Sequence, residues 1–208
     1  MVRSILTVGI PTYNRQKIVT SCLENLGKDN LLENLEILVI DNFSSDGTFK
    51  SLLKKFKQKN LRILQNHENI GFSGNTLELI KQCETDYLLW NPDEDKIIKS
   101  NVDPLIEFLK EKKPKVLCPQ YYLNNKLYRG KLSSNLMEPK DLWKAAPHLP
   151  GLIFHVPSCK SFLGEFDQIK KDYPTTYRYY PQIFLLSRLI LLGNCFYWDK
   201  PINTQNHV

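Results

Sequence analysis

Glycine and cysteine are scarce in this 208-residue sequence, at nine and five residues. With 11% aromatic and 42% hydrophobic content, so little glycine argues against a disordered chain and leaves apolar material for one compact core. The cysteines are odd in number, widely spaced at 22, 83, 118, 159 and 195, and form no C-x-x-C pair. That argues against a disulfide frame or zinc site and predicts buried, reduced thiols in a cytoplasmic protein. Long apolar runs are also lacking: the longest, around "IFLLSRLILLG", is interrupted by Arg188 and does not approach a membrane span. The opening "MVRSILTVGIPTYN" has no long apolar core followed by a small-residue cleavage site, so no signal peptide is expected. No G-x-G-x-x-G follows the first strand, and neither G-x-x-x-x-G-K-[ST] nor G-x-S-x-G occurs. These absences weigh against a dinucleotide site, a P-loop and a serine nucleophile. The four histidines share no metal-ligand spacing.

What is present is an alternation of periods. "ILTVGI" (5–10), "LEILVID" (35–41), "LRILQ" (61–65), "YLLWN" (87–91) and "KVLCP" (115–119) read as short apolar strands. The helical segments between them should turn Ile18, Val19, Cys22, Leu23 and Leu26 inward, then Phe49, Leu52, Leu53 and Phe56, then Leu77, Ile80 and Cys83. A further helix is expected in "NVDPLIEFLKEKK". Strands and helices at this spacing predict an α/β fold: right-handed βαβ units and a mostly parallel sheet with helices on both faces. Beyond residue 119 the pattern loosens. A hairpin turning at Asn124-Asn125 is expected, because Asn tolerates positive φ. A short helix in "EPKDLWKAA", a strand "GLIFHV", an apolar helix closed by Gly193 and a last strand "NCFYWD" follow. No repeat or flexible linker marks a boundary, so residues 1–208 read as one domain in two halves, 1–118 and 119–208.

The polar residues collect where the strands end: "PTYNR" (11–15), "DNFSSDGT" (41–48), "NHENIGFSGN" (66–75) and "NPDED" (91–95). Singly, each has a structural reading, with Asn14 and Asp46 as helix caps and Gly71 and Gly74 as turn residues. Together they mark a small-molecule site beyond the carboxyl ends of the strands. Three adjacent carboxylates repel one another and need a partner: water, an arginine or a metal. In an extended segment Asp93 and Asp95 project to one side and Glu94 to the other. Two such oxygen donors suit Mn²⁺ or Mg²⁺, with substrate phosphates and water completing the shell. A solvated acidic turn is the alternative.

"ILTVGIPTYNR", "LEILVIDNFSSDGT", "NHENIGFSGN" and "YLLWNPDED" resemble, in order and spacing, the family 2 glycosyltransferases with the GT-A fold, particularly bacterial enzymes that build surface polysaccharides. The resemblance covers about residues 4 to 118. It implies a Rossmann-like sheet with a smaller acceptor-side half, a nucleotide-diphosphate-sugar donor, a divalent metal, and inversion at the anomeric carbon in a single displacement. Pro11, Thr12, Tyr13 and Asn14 then match the loop that wraps the nucleotide, and Asp41 the carboxylate that reads the base. Asn69, Gly71 and Asn75 match the segment beside the nucleotide and diphosphate. Asp93 and Asp95 match the D-x-D pair, Asp95 as the direct metal ligand and Asp93 nearer the ribose or a metal-bound water.

The second half departs from the family pattern. "GEFDQ" (164–168) is faintly similar to the G-G-F-D-E motif, and "YYPQIF" (179–184) stands where an E-D pair would supply the catalytic base. Asp167 is the first candidate for that base, followed by Glu165 and Asp172. An acceptor region lying beyond the C-terminus or supplied by a partner is a further expectation. The function expected is metal-dependent inverting transfer of a sugar to a saccharide or lipid-linked acceptor; the alternative is a nucleotide-sugar-binding module without turnover. Nucleic acid is not an expected partner, because the aromatics follow core periodicity and no nucleic-acid motif is present. The net charge of +6 comes with lysines clustered in "KSLLKKFKQKN" and "KEKKPK". These read as solvated helix faces or, with Phe184 to Leu192, as a peripheral contact with the anionic inner face of a membrane.

Overall fold

The structure, a computed structural model, describes residues 4–129 and 136–205, with residues 33 and 34 by backbone alone. β1 (Leu6–Thr12) leads into α1 (Gln16–Lys28) and the single turn α2 (Leu31–Asn34). β2 (Glu36–Asp41), α3 (Thr48–Lys55), β3 (Leu61–Gln65), α4 (Gly71–Gln82) and β4 (Tyr87–Trp90) complete the expected alternation. The two-residue β5 (Lys96–Ile97), α5 (Val102–Lys112), β6 (Val116–Leu123) and β7 (Lys126–Tyr128) come next. The rest of the described chain is α6 (Leu142–Ala145), β8 (Ile153–His155), α7 (Val156–Lys160), α8 (Phe166–Asp172), α9 (Pro174–Tyr179), α10 (Pro181–Leu191) and β9 (Cys195–Gln205).

One sheet runs through both halves in the order β3-β2-β1-β4-β8-β6-β9-β5, with β7 paired to β6. β1 to β4 are parallel, as the βαβ reading predicts. "KVLCP" does not continue beside β4. The short β8 intervenes, antiparallel to both β4 and β6. Because β8 reverses direction on each side, β6 and its parallel neighbour β9 still point the same way as β4. The β6–β7 hairpin turns at Asn124 (φ 48°) and Asn125 (φ 63°), as expected.

Successive residues of the strands feed opposite cores. Ile37 and Val39 join Leu6, Val8, Ile10 and Leu52 on one face; Leu38 and Ile40 join Leu79, Leu88, Phe154 and Leu185 on the other. Burial of both faces explains why these strands read as continuous apolar runs. A Cβ on Gly9 would lie 2.7 Å from Leu88 Cδ1 and 3.3 Å from Leu79 Cδ2, so the absent side chain lets α4 seat against β1. Three expected inward residues are corrected: Ile18 and Leu53 are 42% and 41% exposed, and Leu79 fills the core position that Leu77 only borders. The helical stripes are narrower than the sequence pattern implied. All five cysteines are buried free thiols.

In α10 Leu185 and Leu189 are core, while Leu191 and, just past the helix end, Leu192 are 70% and 56% exposed. Gly193 (φ +73°) ends the segment as expected. Among the described residues no helix is long and apolar enough to cross a membrane.

Candidate active site

The parallel register brings the strand ends level, pairing Thr12 with Asp41 and Gly9 with Trp90. The ladder continues one residue further: the Asn42 N–H donates to Thr12 O, the Asn66 N–H to Asp41 O and the Asn91 N–H to Gly9 O, each at 2.9 Å. Four loops are thereby drawn together around a cleft of about 450 Å³. Pro11, Thr12, Tyr13, Asn69, Gly71, Asn75 and Asp93 all line it, so seven residues singled out from the sequence converge. Arg15, Asn42, Phe72, Trp90, Pro92 and Glu94 line it too and were missed. Arg15, Asn42 and Glu94 stand inside the quoted polar loops, which was the available signal. The edge of Phe72 meets Trp90 at 5.9 Å between ring centres.

Asn42, buried at the end of β2, ties the loops to one another. Its amide donates to Asn69 Oδ1 (2.8 Å) and Gly71 O (3.3 Å), and its Oδ1 accepts from Asn66 Nδ2 (2.9 Å) and the Ile70 N–H (3.1 Å). Asn66 Nδ2 also reaches Asn75 Oδ1 at 3.0 Å, and Asn75 Nδ2 donates to Ile40 O at 3.1 Å. The network fixes the entry to α4, whose N-terminus opens on the cleft.

Two predicted nucleotide residues lie just outside the lining. Asn14 (φ 52°) accepts the Ser45 N–H at 2.8 Å and donates its own N–H to Ser44 Oγ at 2.7 Å. Asp41 is fully buried, and its carboxylate accepts from the Ser44 N–H (3.1 Å), the Ser44 hydroxyl and Gln65 Nε2 (2.8 Å). Asp46 caps two helices at once, accepting the Gln16 N–H at 3.1 Å and the Thr48 N–H at 3.0 Å.

The acidic stretch differs from the extended geometry expected of it. Asp95 N–H donates to Pro92 O at 3.2 Å, closing a turn that breaks the two-residue period. Glu94 consequently does not point away: it lines the cleft with Asp93, and Arg15 Nη1 bridges the two at 2.5 Å and 3.0 Å. Thr12 Oγ1 donates to Asp93 Oδ2 at 2.7 Å. Asp95, expected on the same side as Asp93, does not line the cleft: it turns toward β9, where Oδ2 accepts from Asn203 Nδ2 (2.7 Å) and Gln205 Nε2 (2.9 Å). Burial pushes the Asp93 carboxyl upward against the opposing pull of Thr12 and Arg15. Burial pushes Asp95 up to about 7, with Gln205 opposing it. Asp95 Oδ1 is buried without a hydrogen-bond partner, a lone pair that suits a cation or water.

The base candidates sit apart from the cleft. Asp167 is exposed in the first turn of α8, Glu165 pairs with Arg188 at 2.5 Å, and Asp172 accepts from Gln168 at 2.9 Å. At the start of α10 Gln182 is buried, with Nε2 donating to Ala146 O at 2.8 Å.

Residues 7–191 match the family described as "Glycosyl transferase family 2". The chain belongs to that family. Poly(ribitol-phosphate) beta-N-acetylglucosaminyltransferase TarS of Staphylococcus aureus is 31% identical over 114 residues, 53% of this chain and 20% of TarS. The dolichyl N-acetyl-alpha-D-glucosaminyl phosphate 3-beta-D-2,3-diacetamido-2,3-dideoxy-beta-D-glucuronosyltransferase of Methanococcus voltae is 31% identical over 125 residues, 54% of this chain and 37% of that enzyme. The crystal structure of S. aureus TarS 1-349 superposes with a TM-score of 0.73 at 20% identity, covering 97% of this chain and 60% of that one. Its complex with UDP-GlcNAc superposes at 0.69 and 20% identity, covering 98% and 58%. The shared fold is the GT-A arrangement expected from the sequence. This family 2 chain spans between a fifth and three fifths of the length of these relatives.

Proposed function

We propose that this family 2 protein transfers a sugar from a nucleotide-diphosphate donor to a saccharide or lipid-linked acceptor, with a divalent cation and with inversion at the anomeric carbon. The observation that carries the reading is the convergence of Pro11, Thr12, Tyr13, Asn69, Gly71, Asn75 and Asp93 on one cleft. TarS has been solved with UDP-GlcNAc, which makes a UDP-sugar the first donor to test. The Methanococcus relative acts on a dolichyl phosphate-linked sugar, in keeping with a lipid-linked acceptor.

In this proposal Tyr13, Pro11 and Thr12 form the nucleotide wall. The N-terminus of α4 offers its helix dipole to the diphosphate. Thr12 holds Asp93 in one orientation. Asp93 and Asp95 would hold Mn²⁺ or Mg²⁺, which when bound supplies positive charge for the departing diphosphate. The partnerless Asp95 Oδ1 supports that assignment. Arg15 supplies the counter-charge of Asp93 and Glu94 otherwise. Asp167 is proposed to accept the proton of the attacking hydroxyl on the face opposite the leaving group.

Calorimetric titration with UDP, in Mn²⁺ and in EDTA, tests the donor and metal assignments: binding should weaken sharply in EDTA, because diphosphate and carboxylates repel. Equal affinity in both would refute the metal assignment. The buried Gln182 and the position of Asp167 off the cleft favour one other reading, a nucleotide-sugar-binding module. UDP binding without consumption of any UDP-sugar would support it.

Peripheral attachment to an anionic membrane face belongs to the same proposal. Lys54, Lys55, Lys110 and Lys112 all fall in the last turns of α3 and α5. Asn194 Nδ2, just after the exposed Leu191 and Leu192, donates to Lys112 O (2.9 Å) and Lys113 O (2.8 Å). Each lysine near such a surface contributes about 1 kcal/mol. Co-sedimentation with anionic vesicles at low salt is the expected result, and a protein left in the supernatant would exclude the attachment.

A further inference from the structure

Across the Gly71–Phe72 turn from the donor cleft lies a second cavity, of about 300 Å³. Its far wall is Lys170, Pro174, Tyr177 and Arg178, from α8 and α9. Gly71 and Phe72 line both cavities, so the two adjoin at this turn. Gly71 adopts φ +75°, and a Cβ there would meet nothing within 4 Å, so the turn is open on that side. The wall is fastened in place: Ser73, 2% exposed, hydrogen-bonds through Oγ to Tyr177 O and, at 3.1 Å, to Arg178 O. α9 therefore cannot drift from α4 without breaking a buried contact.

The two cavities have opposite character. The donor cleft sets Asp93 and Glu94 against Arg15, whereas the second cavity is lined by two cations and, among the described residues, no carboxylate. Lys170 and Arg178 are exposed, and each lies by a ring: Lys170 Nζ is 6.0 Å from the centre of Tyr177, Arg178 Cζ 5.3 Å from that of Tyr179. Tyr173, Tyr179 and Tyr180 add exposed aromatic surface at 58%, 56% and 47%. Cations beside amphipathic rings suit a ligand with a charged oxyanion and an apolar sugar face.

We infer that the second cavity is an acceptor subsite for a phosphate-bearing saccharide, with Lys170 and Arg178 holding the phosphate and the sugar ring lying against Tyr177 and Phe72. The inference rests on the transferase reading. The phosphate has two chemical sources, a phosphodiester within a polymer or the diphosphate of a lipid-linked sugar.

The test uses the full chain with UDP and Mn²⁺ in excess to fill the donor cleft. Four probes are titrated: N-acetylglucosamine 1-phosphate, its methyl phosphodiester, farnesyl-diphosphate-linked N-acetylglucosamine, and the uncharged methyl glycoside. The phosphorylated probes should bind about tenfold or more tighter than the glycoside, as charge-assisted contacts predict. The diester and farnesyl arms distinguish the two sources. Lys170→Glu with Arg178→Glu should remove that preference and leave UDP affinity unchanged; Lys170→Gln with Arg178→Gln should lower it without reversing the charge. Equal binding of charged and uncharged probes, or a preference undiminished in both double variants, would overturn the inference. Failure of UDP itself to bind would instead overturn the transferase reading, and the dependence on Lys170 and Arg178 would still decide the nature of the cavity.

Discussion

Asn42→Asp tests the network that shapes the cleft with almost no change of volume. Asn42 Nδ2 donates to Asn69 Oδ1 at 2.8 Å and to Gly71 O at 3.3 Å, so a carboxylate oxygen there faces two acceptors. Asn69 cannot relieve this by flipping its amide, because its Oδ1 also accepts the Gly71 N–H at 2.9 Å. Two hydrogen bonds are lost, at about 1 kcal/mol each, and a charge is placed where the side chain is nearly buried; a total of about 3 kcal/mol is expected at pH 7.5. The sign with pH follows from the new carboxyl. Its folded-state pKa is raised above its unfolded value near 4, so the folded variant holds the proton more tightly. Stability relative to wild type then falls as pH rises above about 4, until the folded-state pKa is passed. Urea unfolding of both proteins at pH 4.5 and 7.5 measures this, with Asn42→Ala, which loses all four bonds at about 2–4 kcal/mol, as a reference without the charge. The deficit of Asn42→Asp should be larger at pH 7.5, and UDP affinity should fall because the loop carrying Asn69 and Gly71 is displaced. An unchanged urea midpoint at pH 7.5, or a deficit independent of pH, would refute the view that Asn42 holds the loop through these bonds.

Arg15→Ala removes the cation shared by Asp93 and Glu94. The Arg15 side chain is 44% exposed, so the stability cost should not exceed about 1 kcal/mol. Mn²⁺ affinity measured by calorimetry without nucleotide should rise, and weaker Mn²⁺ binding would show that Arg15 does not compete for Asp93. In Asp41→Asn the amide oxygen can keep the Ser44 and Gln65 donors while its nitrogen faces the Ser44 hydroxyl, so the fold should survive at a cost of about 1 kcal/mol. UDP affinity should drop by about 1–3 kcal/mol if Asp41 reads the base. A lower melting temperature with unchanged affinity would make it an anchor for the 41–48 loop alone.

The parallel half of the fold was legible because its signals are local. Apolar runs between polar loops, with helical stripes at three- and four-residue spacing, announce βαβ units whatever lies around them. The Asn124-Asn125 turn depends only on those residues' tolerance of positive φ. Seven residues lining the cleft could be singled out because a parallel sheet aligns the carboxyl ends of its strands, so that four separated loops must share one rim. Three features could not be read in this way. β8 falls inside the expected strand "GLIFHV", but its place between β4 and β6 is set by edges supplied from distant chain. The turn at Pro92–Asp95 sends Glu94 into the cleft and Asp95 toward Asn203 and Gln205, partners more than a hundred residues away. Which groups face Lys170 and Arg178 across the second cavity follows from α9 being fastened to α4 through Ser73. Which residues are polar at the ends of which strands follows from chain order alone, because periodicity and turn chemistry act between neighbours along the chain. The tertiary structure alone decided which charges meet, because hydrogen bonds and Coulomb forces act across space between groups the chain order keeps apart.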